Sequence, residues 1–166
     1  MIMIKAVKKF RQLIFGIRVK GKAASVGEKL KVNNKSKVTS NTYLGNNVNF
    51  NGMRITGNGK VTIGNNFHSG TDCLIITQNH NYEGEKIPYD DTYICKDVII
   101  EDNVWIGDRV IILAGSKIEE GSIIQAGSVV VGTVPKYSIA GGHPAKPFKQ
   151  RDIAHYEELK QKGLFH

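Results

Sequence analysis

The sequence predicts an all-β fold, a parallel β-helix built from six-residue repeats. Branched aliphatic residues recur at every sixth position through the second half of the chain, at Ile100, Ile106, Ile112, Ile118, Ile124 and Val130. A second series of small or β-branched residues has the same spacing, at Val98, Val104, Val110, Ser116, Ser122, Ser128 and Val134. Period six suits a short strand and a tight turn with one inward side chain per repeat, rather than an amphipathic helix. Three repeats would make one triangular coil of about eighteen residues, and successive coils would stack as parallel strands ~4.8 Å apart.

The first half of the chain carries the same period more weakly. The apolar positions with this spacing are Val26, Val32, Val38, Leu44 and Phe50. After an irregular stretch over residues 53–59, the period resumes at Ile63, Ser69 and Ile75. Gly-Asn-Asn triplets at residues 45–47 and 64–66 suit corners that need a positive φ.

The order of elements predicts one domain over residues 1–166. Residues 1–20 are expected to form a helix and residues 21–135 the β-helix, which Pro135 ends. Residues 77–97 interrupt the period and are rich in acids and tyrosines, so we expect an extended loop that carries function. Residues 136–166 are expected to be an extension that ends in a helix beginning at Asp152.

The net charge of +8 is concentrated at one end of the chain. Residues 1–22 contain seven basic residues and no acid, which leaves 16 basic and 15 acidic residues elsewhere. A neutral body argues against nucleic-acid binding. The basic segment also has apolar residues at helical spacing, namely Met3, Val7, Phe10, Ile14 and Ile17. Two interpretations stay open: peripheral contact of residues 1–20 with an anionic membrane, or a helix that caps the end of the β-helix.

Composition favours a cytoplasmic protein. No apolar run approaches the ~18 residues of a membrane span, and residues 1–20 lack the pattern of a secretory signal. Cys73 and Cys95 do not have the spacing of a redox or zinc motif, so a reducing compartment is expected.

Three motifs resemble those of the hexapeptide-repeat acetyltransferases, which fold as a left-handed parallel β-helix. The motifs are His80-Asn81-Tyr82 in the loop, Asn103-Val104-Trp105-Ile106-Gly107, and the closing Gly142-His143-Pro144-Ala145-Lys146. Within the family, the chain is most similar to the O-acetyltransferases of capsular polysaccharide, polysialic acid and other cell-surface polysaccharides. The left-handed sense is implied by the resemblance alone.

The resemblance implies acetyl-CoA as acyl donor, a carbohydrate hydroxyl as acceptor, and a homotrimer with active sites between subunits. It places the general base at His80, where an imidazole with an ordinary pKa near 7 suits removal of a hydroxyl proton. It places Trp105 close to the reacting thioester, so His80 and Trp105 form the expected catalytic pair. The loop supplies Asn79, Tyr82 and Lys86 as expected acceptor contacts.

The same resemblance assigns the donor site. Asp108 and Ala126 are eighteen positions apart, so they would lie one coil apart on one face. They match family positions that contact the pantetheine arm, while Lys146 and Lys149 match basic positions near the nucleotide phosphates. Many members of the family have Thr-Lys at the positions of Val131 and Gly132. Val131 is still expected to contact the donor, but the contacts to the adenosine end of acetyl-CoA should differ from those in such members.

Alternatives remain at the acceptor. An N-acetyltransferase of amino-sugar nucleotides or an acetyltransferase of small antibiotics would share the fold and the donor. No metal is expected, since the zinc enzymes of this fold need three histidines and no histidine lies between His80 and His143. Neither the base-orienting group nor the oxyanion donor can be assigned from the sequence.

Overall fold

The computed structural model describes residues 2–166, with side chains from residue 7 onward. The side chains of Met3 and Lys5 therefore lie outside the described residues. Two helices, α1 (Ile2–Lys20) and α2 (Ile153–Gln161), flank a series of short strands. The strands are β1 (Ser25–Val26), β2 (Lys31–Asn34), β3 (Thr42–Leu44), β4 (Asn49–Asn51), β5 (Arg54–Thr56), β6 (Val61–Ile63), β7 (His68–Thr71), β8 (Leu74–Ile76), β9 (Gln78–His80), β10 (Tyr93–Cys95), β11 (Val98–Ile100), β12 (Trp105–Ile106), β13 (Ile111–Ile112), β14 (Lys117–Ile118), β15 (Ile123–Ile124), β16 (Val129–Val130), β17 (Thr133–Val134), β18 (Ser138–Gly142) and β19 (Ala145–Gln150).

Three parallel sheets form the faces of a triangular solenoid. The first face has the order β1-β3-β6-β11-β14-β17, the second has β2-β4-β7-β12-β15-β18 with β19 at its edge, and the third has β5-β8-β13-β16. Residues eighteen apart pair in register, as Ile106 does with Ile124 and Ile112 with Val130. The predicted parallel β-helix is confirmed, although the third face has four strands and the first has six.

The core is the column of inward side chains that the period predicts. Every branched aliphatic residue from Ile100 to Val130 in the six-residue series is at most 1% exposed. Ser116, Ser122 and Ser128 of the second series are also buried, and their hydroxyl groups form hydrogen bonds to backbone groups. Small polar residues are therefore tolerated inside the corners because their one polar atom is satisfied.

The weak period of the first half reflects coils of unequal length. Leu44 pairs with Ile63, nineteen positions on, and Ile55 pairs with Ile75, twenty positions on. The stretch over residues 53–59, read as irregular from the sequence, contains β5 and supplies buried Met53 and Ile55 to the core. Extra residues at the corners shift the spacing without disturbing the stack.

The expectation that Pro135 ends the coils is wrong. β18 continues the second face in parallel with β15, and Ala140 is fully buried. Pro135 lies at the corner between β17 and β18, where a residue without an N–H costs no ladder hydrogen bond. β19 then folds back antiparallel onto β18.

Residues 77–97 are also more regular than the extended loop expected from the sequence. β9 and β10 pair antiparallel, with His80 opposite Tyr93 and Asn79 opposite Ile94. This hairpin, here called the arm, leaves the solenoid after β8 of the third face and returns at β11 of the first. The arm therefore projects from the corner between the third and first faces.

The two helices pack at different places on the solenoid. Val19 of α1 is buried, Phe15 packs against the core, and Gln12 Nε2 donates a hydrogen bond to Asn33 Oδ1 of the first coil at 2.6 Å. α2 begins at the cap residue Asp152, as expected, whose carboxylate accepts from the His155 N–H at 3.0 Å. No helix within residues 2–166 is long and apolar enough to cross a membrane.

Candidate active site

His80 is exposed at the end of β9, and its ring is held by aromatic side chains of the arm. The ring of Tyr89 stacks on the imidazole with centroids 3.9 Å apart and planes inclined by 18°. The ring of Tyr93, its register partner, lies 4.7 Å away on centroids. These aromatic contacts restrict the orientation of the imidazole, and neither of them is a charged partner for its nitrogen atoms.

Two carboxylates of the arm, those of Asp90 and Asp91, are engaged with other groups. Asp90 accepts hydrogen bonds from the Thr92 hydroxyl at 2.5 Å, the Thr92 N–H at 2.9 Å and the Glu85 N–H at 3.1 Å, and these bonds lower its pKa. Asp91 pairs with Lys86 at 3.2 Å on the surface. Among the described residues, no carboxylate hydrogen-bonds to His80, so these acids shape the turn of the arm instead.

The residues expected to bind the acceptor are spread along this arm. Asn79 lies on β9 and is exposed, and Tyr82 is 70% exposed just beyond His80. Lys86 is held near the tip by Asp91. These three side chains share the arm with His80, but their role in acceptor binding stays a prediction.

Asp108 and Ala126 lie at the same corner of successive coils, between the second and third faces. The Asp108 carbonyl accepts a hydrogen bond from the Gly127 N–H at 2.8 Å. The Asp108 carboxylate accepts from the Thr71 N–H of the preceding coil at 2.6 Å, which lowers its pKa. Both residues are exposed. The predicted one-coil separation is thus confirmed, and the donor-binding role stays a prediction.

The remaining residues expected at the donor site do not all lie at that corner. Lys146 is paired with Gly141, near the end of β18 that faces the corner between the second and third faces. Lys149 lies farther along β19, opposite Ile139. Val131 is 53% exposed and lies between β16 and β17, at the corner from which the arm projects two coils earlier. Asp108, Ala126 and Val131 therefore lie at the two corners that flank the third face, whereas Lys149 lies beside the start of β18 on the second face.

Trp105 lies on the second face and is 52% exposed. Its register neighbours are His68 in the preceding coil and Ile123 in the next. It lines a cleft of about 450 Å³ between this face and the C-terminal segment. Other residues that line the cleft include Asn49, Asn66, Asn103, Arg151, Leu159, Lys160, Leu164, Phe165 and His166.

A ladder of asparagine side chains forms one wall of this cleft. Asn47 donates to Asn66 at 3.0 Å, Asn66 to Asn103 at 2.8 Å, and Asn103 to the hydroxyl of Tyr156 at 2.8 Å. The three asparagines have φ of 55°, 55° and 60°, which their side chains tolerate better than most. The ladder therefore ties the corners of three coils to α2 through Tyr156.

His68 lines the same cleft. Its ring is half-buried, lies 5.7 Å from the ring of His166, and has a nitrogen 3.3 Å from the amide of Asn51. Burial, with the charges of His166 and Lys31, lowers the pKa of His68. A neutral imidazole inside the cleft can exchange hydrogen bonds with a bound polar molecule.

A single chain does not bring His80 and Trp105 into one groove. The cleft that Trp105 lines contains no residue of the arm, because the arm leaves from the corner opposite the second face. Both residues were identified from the sequence, but only the structure shows that they lie on different sides of one chain. Tyr89 and Tyr93, which hold His80, were missed as individuals, although the concentration of tyrosines in residues 77–97 was visible.

Cys73 is unsuited to be a nucleophile. Its side chain is 1% exposed, and its Sγ lies 3.2 Å from the carbonyl oxygen of Gly107. Burial raises the pKa of the Cys73 thiol to about 11, so the thiol stays protonated at neutral pH. Among the described side chains, no group of three or more His, Cys, Asp or Glu is placed to hold a metal ion.

Comparison with known proteins agrees with this architecture. Residues 91–132 match the family model described as bacterial transferase hexapeptide (six repeats). The galactoside O-acetyltransferase of Escherichia coli K12 is 32% identical over 122 residues, which cover 70% of this chain and 59% of that protein. A 2,3,4,5-tetrahydropyridine-2,6-dicarboxylate N-acetyltransferase of Clostridium perfringens is 52% identical over 54 residues, covering 32% of this chain and 23% of that protein. The chain thus spans less than two thirds of the length of either curated relative.

A solved structure gives the corresponding result for the fold. A galactoside acetyltransferase in complex with coenzyme A superposes with a TM-score of 0.68 at 29% identity, covering 80% of this chain and 67% of that one. The structure of this chain thus matches the left-handed β-helix of acetyltransferases, which confirms the predicted fold class. In its repeats and fold, the chain is thus similar to the hexapeptide-repeat transferases, and acetyltransferases are among the proteins that it matches.

Proposed function

We propose that this chain is an acetyl-CoA-dependent O-acetyltransferase that acts on a hydroxyl group of a sugar or cell-surface polysaccharide. The observation that carries the proposal is the exposed imidazole of His80, stacked on Tyr89 at the end of β9. A relative of the same fold binds coenzyme A, and a curated relative O-acetylates galactosides, as their names state. These names support the donor and the acceptor class.

The chemistry assigned to His80 is general base catalysis with direct transfer. The imidazole removes the proton of the acceptor hydroxyl while its oxygen attacks the thioester carbonyl of acetyl-CoA. The C–S bond then breaks, and the imidazolium returns the proton to the departing thiolate. The products are an acetyl ester and free coenzyme A. Direct transfer agrees with the protonated state of Cys73, which offers no thiolate for a covalent intermediate.

The cleft beside Trp105 suits a carbohydrate acceptor. An exposed indole offers a flat apolar surface to the C–H face of a sugar ring, and the amides of Asn49 and Asn66 offer donors and acceptors to hydroxyl groups. A volume of about 450 Å³ is within the range of small-molecule sites. The finer assignment to a capsular or other surface polysaccharide rests on the motifs His80-Asn81-Tyr82 and Asn103 to Gly107.

Self-association completes the proposed site. His80 lies on the arm, Trp105 lies on the second face, and one chain keeps them apart. Leu74, Ile111 and Val129 form a half-buried apolar column on the outer side of the third face. A homotrimer in which the arm of one subunit reaches the second face of the next would join the two halves and cover apolar surface.

Thiol release from acetyl-CoA, measured against a panel of acceptors, tests the function. The panel contains polysaccharides, simple galactosides, amino-sugar nucleotides and small antibiotics. We expect thiol release with a carbohydrate hydroxyl and a product whose acetyl group is removed by hydroxylamine, as esters are and amides are not. Release only with amines would contradict O-acetylation.

N-acetylation is the second candidate, and one observation favours it. The segment most similar to the N-acetyltransferase of Clostridium perfringens reaches 52% identity over 54 residues. An amine with a lowered pKa needs less help from a base than a hydroxyl does, so His80→Ala would then retain more activity. The stability of the product to hydroxylamine distinguishes the two.

A further inference from the structure

Helix α1 presents two different faces. Gln12, Phe15 and Val19 point toward the first coil, where Val19 is buried and Phe15 packs against the core. On the opposite side lie apolar residues that do not pack against the core. This exposed stripe consists of Val7 (55% exposed), Phe10 (63%), Leu13 (60%) and Ile17 (60%).

The stripe follows the helix rather than being a scatter of single exposed residues. Its members are three or four positions apart, so with 100° of turn per residue they share one side of the helix. Four large apolar side chains more than half exposed on one helix form a contiguous patch, and such patches mark interaction surfaces. Folding of this chain does not need them, since α1 is already attached through its other face.

Positive charge borders the stripe on both sides. Arg11 and Arg18 are seven positions apart and lie along one edge, while Lys9 and Lys20 are eleven positions apart and lie along the other. All four side chains are exposed. The first acidic residue of the chain is Glu28, so no acid neutralises the charge within α1.

We propose that this face of α1 docks in the surface of an anionic lipid bilayer. An apolar stripe between two rows of cations fits the plane between acyl chains and anionic headgroups, with the long Lys and Arg stems reaching up to the phosphates. The helix would lie in the interface, not across it. The proposal is independent of the acetyl-transfer chemistry assigned to the solenoid.

The same charges disfavour a second copy of this chain as the occupant. Two stripes packed against each other would bring two sets of basic residues together without a single acid from residues 1–22. A bilayer containing acidic phospholipid supplies the missing negative charge along the whole length of the helix. Charge complementarity therefore selects the bilayer.

Co-sedimentation of the full chain with vesicles tests the proposal. Binding is expected with phosphatidylcholine vesicles that contain phosphatidylglycerol, not with phosphatidylcholine alone, and it should weaken as salt screens the charges. Replacing Lys9 and Arg18 with Gln should reduce the partition coefficient about 25-fold, at roughly fivefold per removed cation. The matched control replaces Lys35 and Lys37, exposed on the first coil, and should leave binding unchanged.

A second pair of variants examines the apolar stripe. Phe10→Ser with Leu13→Ser should reduce vesicle binding about a hundredfold or more, since each side chain loses its burial in lipid. Ile153→Ser on α2, also an exposed apolar position, should bind as the parent chain does. Circular dichroism and thermal melting verify that the variants remain folded.

Two results would overturn the proposal: equal binding to neutral and anionic vesicles, and no vesicle binding by the parent chain at any salt concentration. In the second case, a parent chain that forms a larger assembly than the Phe10→Ser, Leu13→Ser variant in sedimentation velocity would assign the stripe to a second copy. None of these results bears on thiol release, so the proposed enzymatic function is judged separately.

Discussion

His80 owes its proposed role to its immediate neighbours in space. Its ring contacts the rings of Tyr89 and Tyr93, and the carboxylates of Asp90 and Asp91 are bound to other groups of the arm. Replacing His80 with Ala should lower kcat by ~10²–10⁴, the usual contribution of a general base, with unchanged affinity for coenzyme A. Steady-state kinetics and calorimetric titration measure the two effects. His155→Ala, exposed on α2, is the matched control.

Replacement of Cys73 tests the alternative to direct transfer, a covalent acetyl-cysteine intermediate. With its pKa raised to about 11 by burial, Cys73→Ala should affect stability rather than chemistry. An acetylated enzyme trapped by mass spectrometry, or a Cys73→Ala variant that folds and is as inactive as His80→Ala, would argue against direct transfer.

Tyr89 is a positioning residue in this scheme. Its ring lies 3.9 Å from the imidazole, so Tyr89→Ala removes the surface that fixes the orientation of His80. We expect kcat to fall roughly tenfold to a hundredfold while KM for acetyl-CoA stays constant. Tyr89→Phe keeps the ring and should restore kcat. A Phe variant as impaired as the Ala variant would assign the effect to the hydroxyl group instead of the stack.

At the scale of elements, the corners of the solenoid carry residues expected to bind the donor, whereas the strands carry the core. The corner with Asp108 and Ala126 is exposed and has its backbone hydrogen bonds satisfied between coils. Ala126→Trp places an indole at this corner, where we expect that only a small side chain leaves room for the pantetheine arm beside the backbone. It should abolish coenzyme A binding in calorimetry while the melting temperature changes little.

Ala154→Trp on the exposed side of α2 is the control for that experiment. Unchanged binding in Ala126→Trp would show that the donor runs along another face, and the assignments of Asp108 and Lys146 would fall with it.

The corner with Val131, which is also expected to contact the donor, carries a backbone constraint that the sequence did not reveal. Gly132 has φ of 77°, a conformation that costs a non-glycine residue roughly 1 kcal/mol or more. Restoring the Thr-Lys pair of relatives at residues 131–132 therefore adds polar contacts and introduces strain together. The absence of a side chain at 132 is explained by the local turn.

Strand alternation makes a sharp prediction for neighbouring residues of β11. Ile100 is 1% exposed and points into the core, whereas Ile99 is 43% exposed on the outer side of the first face. Ile100→Ala should lower the free energy of unfolding by about 2–5 kcal/mol because it leaves a cavity, and Ile99→Ala by less than about 1 kcal/mol. Chemical denaturation of both variants measures the difference. Equal effects would mean that the outer residue is covered in an assembly.

At the scale of the whole molecule, the distribution of the site over two faces predicts shared active sites. His80→Ala and Trp105→Ala subunits should each be poorly active alone. Mixed by co-expression, random trimers would restore about a quarter of the sites, because some interfaces combine an intact arm with an intact second face. Sedimentation equilibrium gives the assembly mass. No recovery of activity in mixed assemblies, or a fully active monomer, would contradict sites between subunits.

The sequence determined the solenoid, because each coil needs one apolar side chain per face and the core runs along a single line. The six-residue period therefore predicts the burial of the series from Ile100 to Val130, and Asp152 predicts the start of α2. The period also predicts that Asp108 and Ala126 lie one coil apart. The basic residues at the start of the chain predict the positive charge of α1.

Only the tertiary structure decided what surrounds those positions. The cleft joins Asn49 to His166, residues more than a hundred positions apart, and no local pattern encodes such a contact. Likewise, the stack of Tyr89 on His80 depends on the register of a hairpin whose strands are too short and polar to be read from periodicity. Val131 lies at a different corner from Asp108. A period of six gives the spacing of residues along the chain, but the arrangement of the three faces decides which residues are neighbours in space.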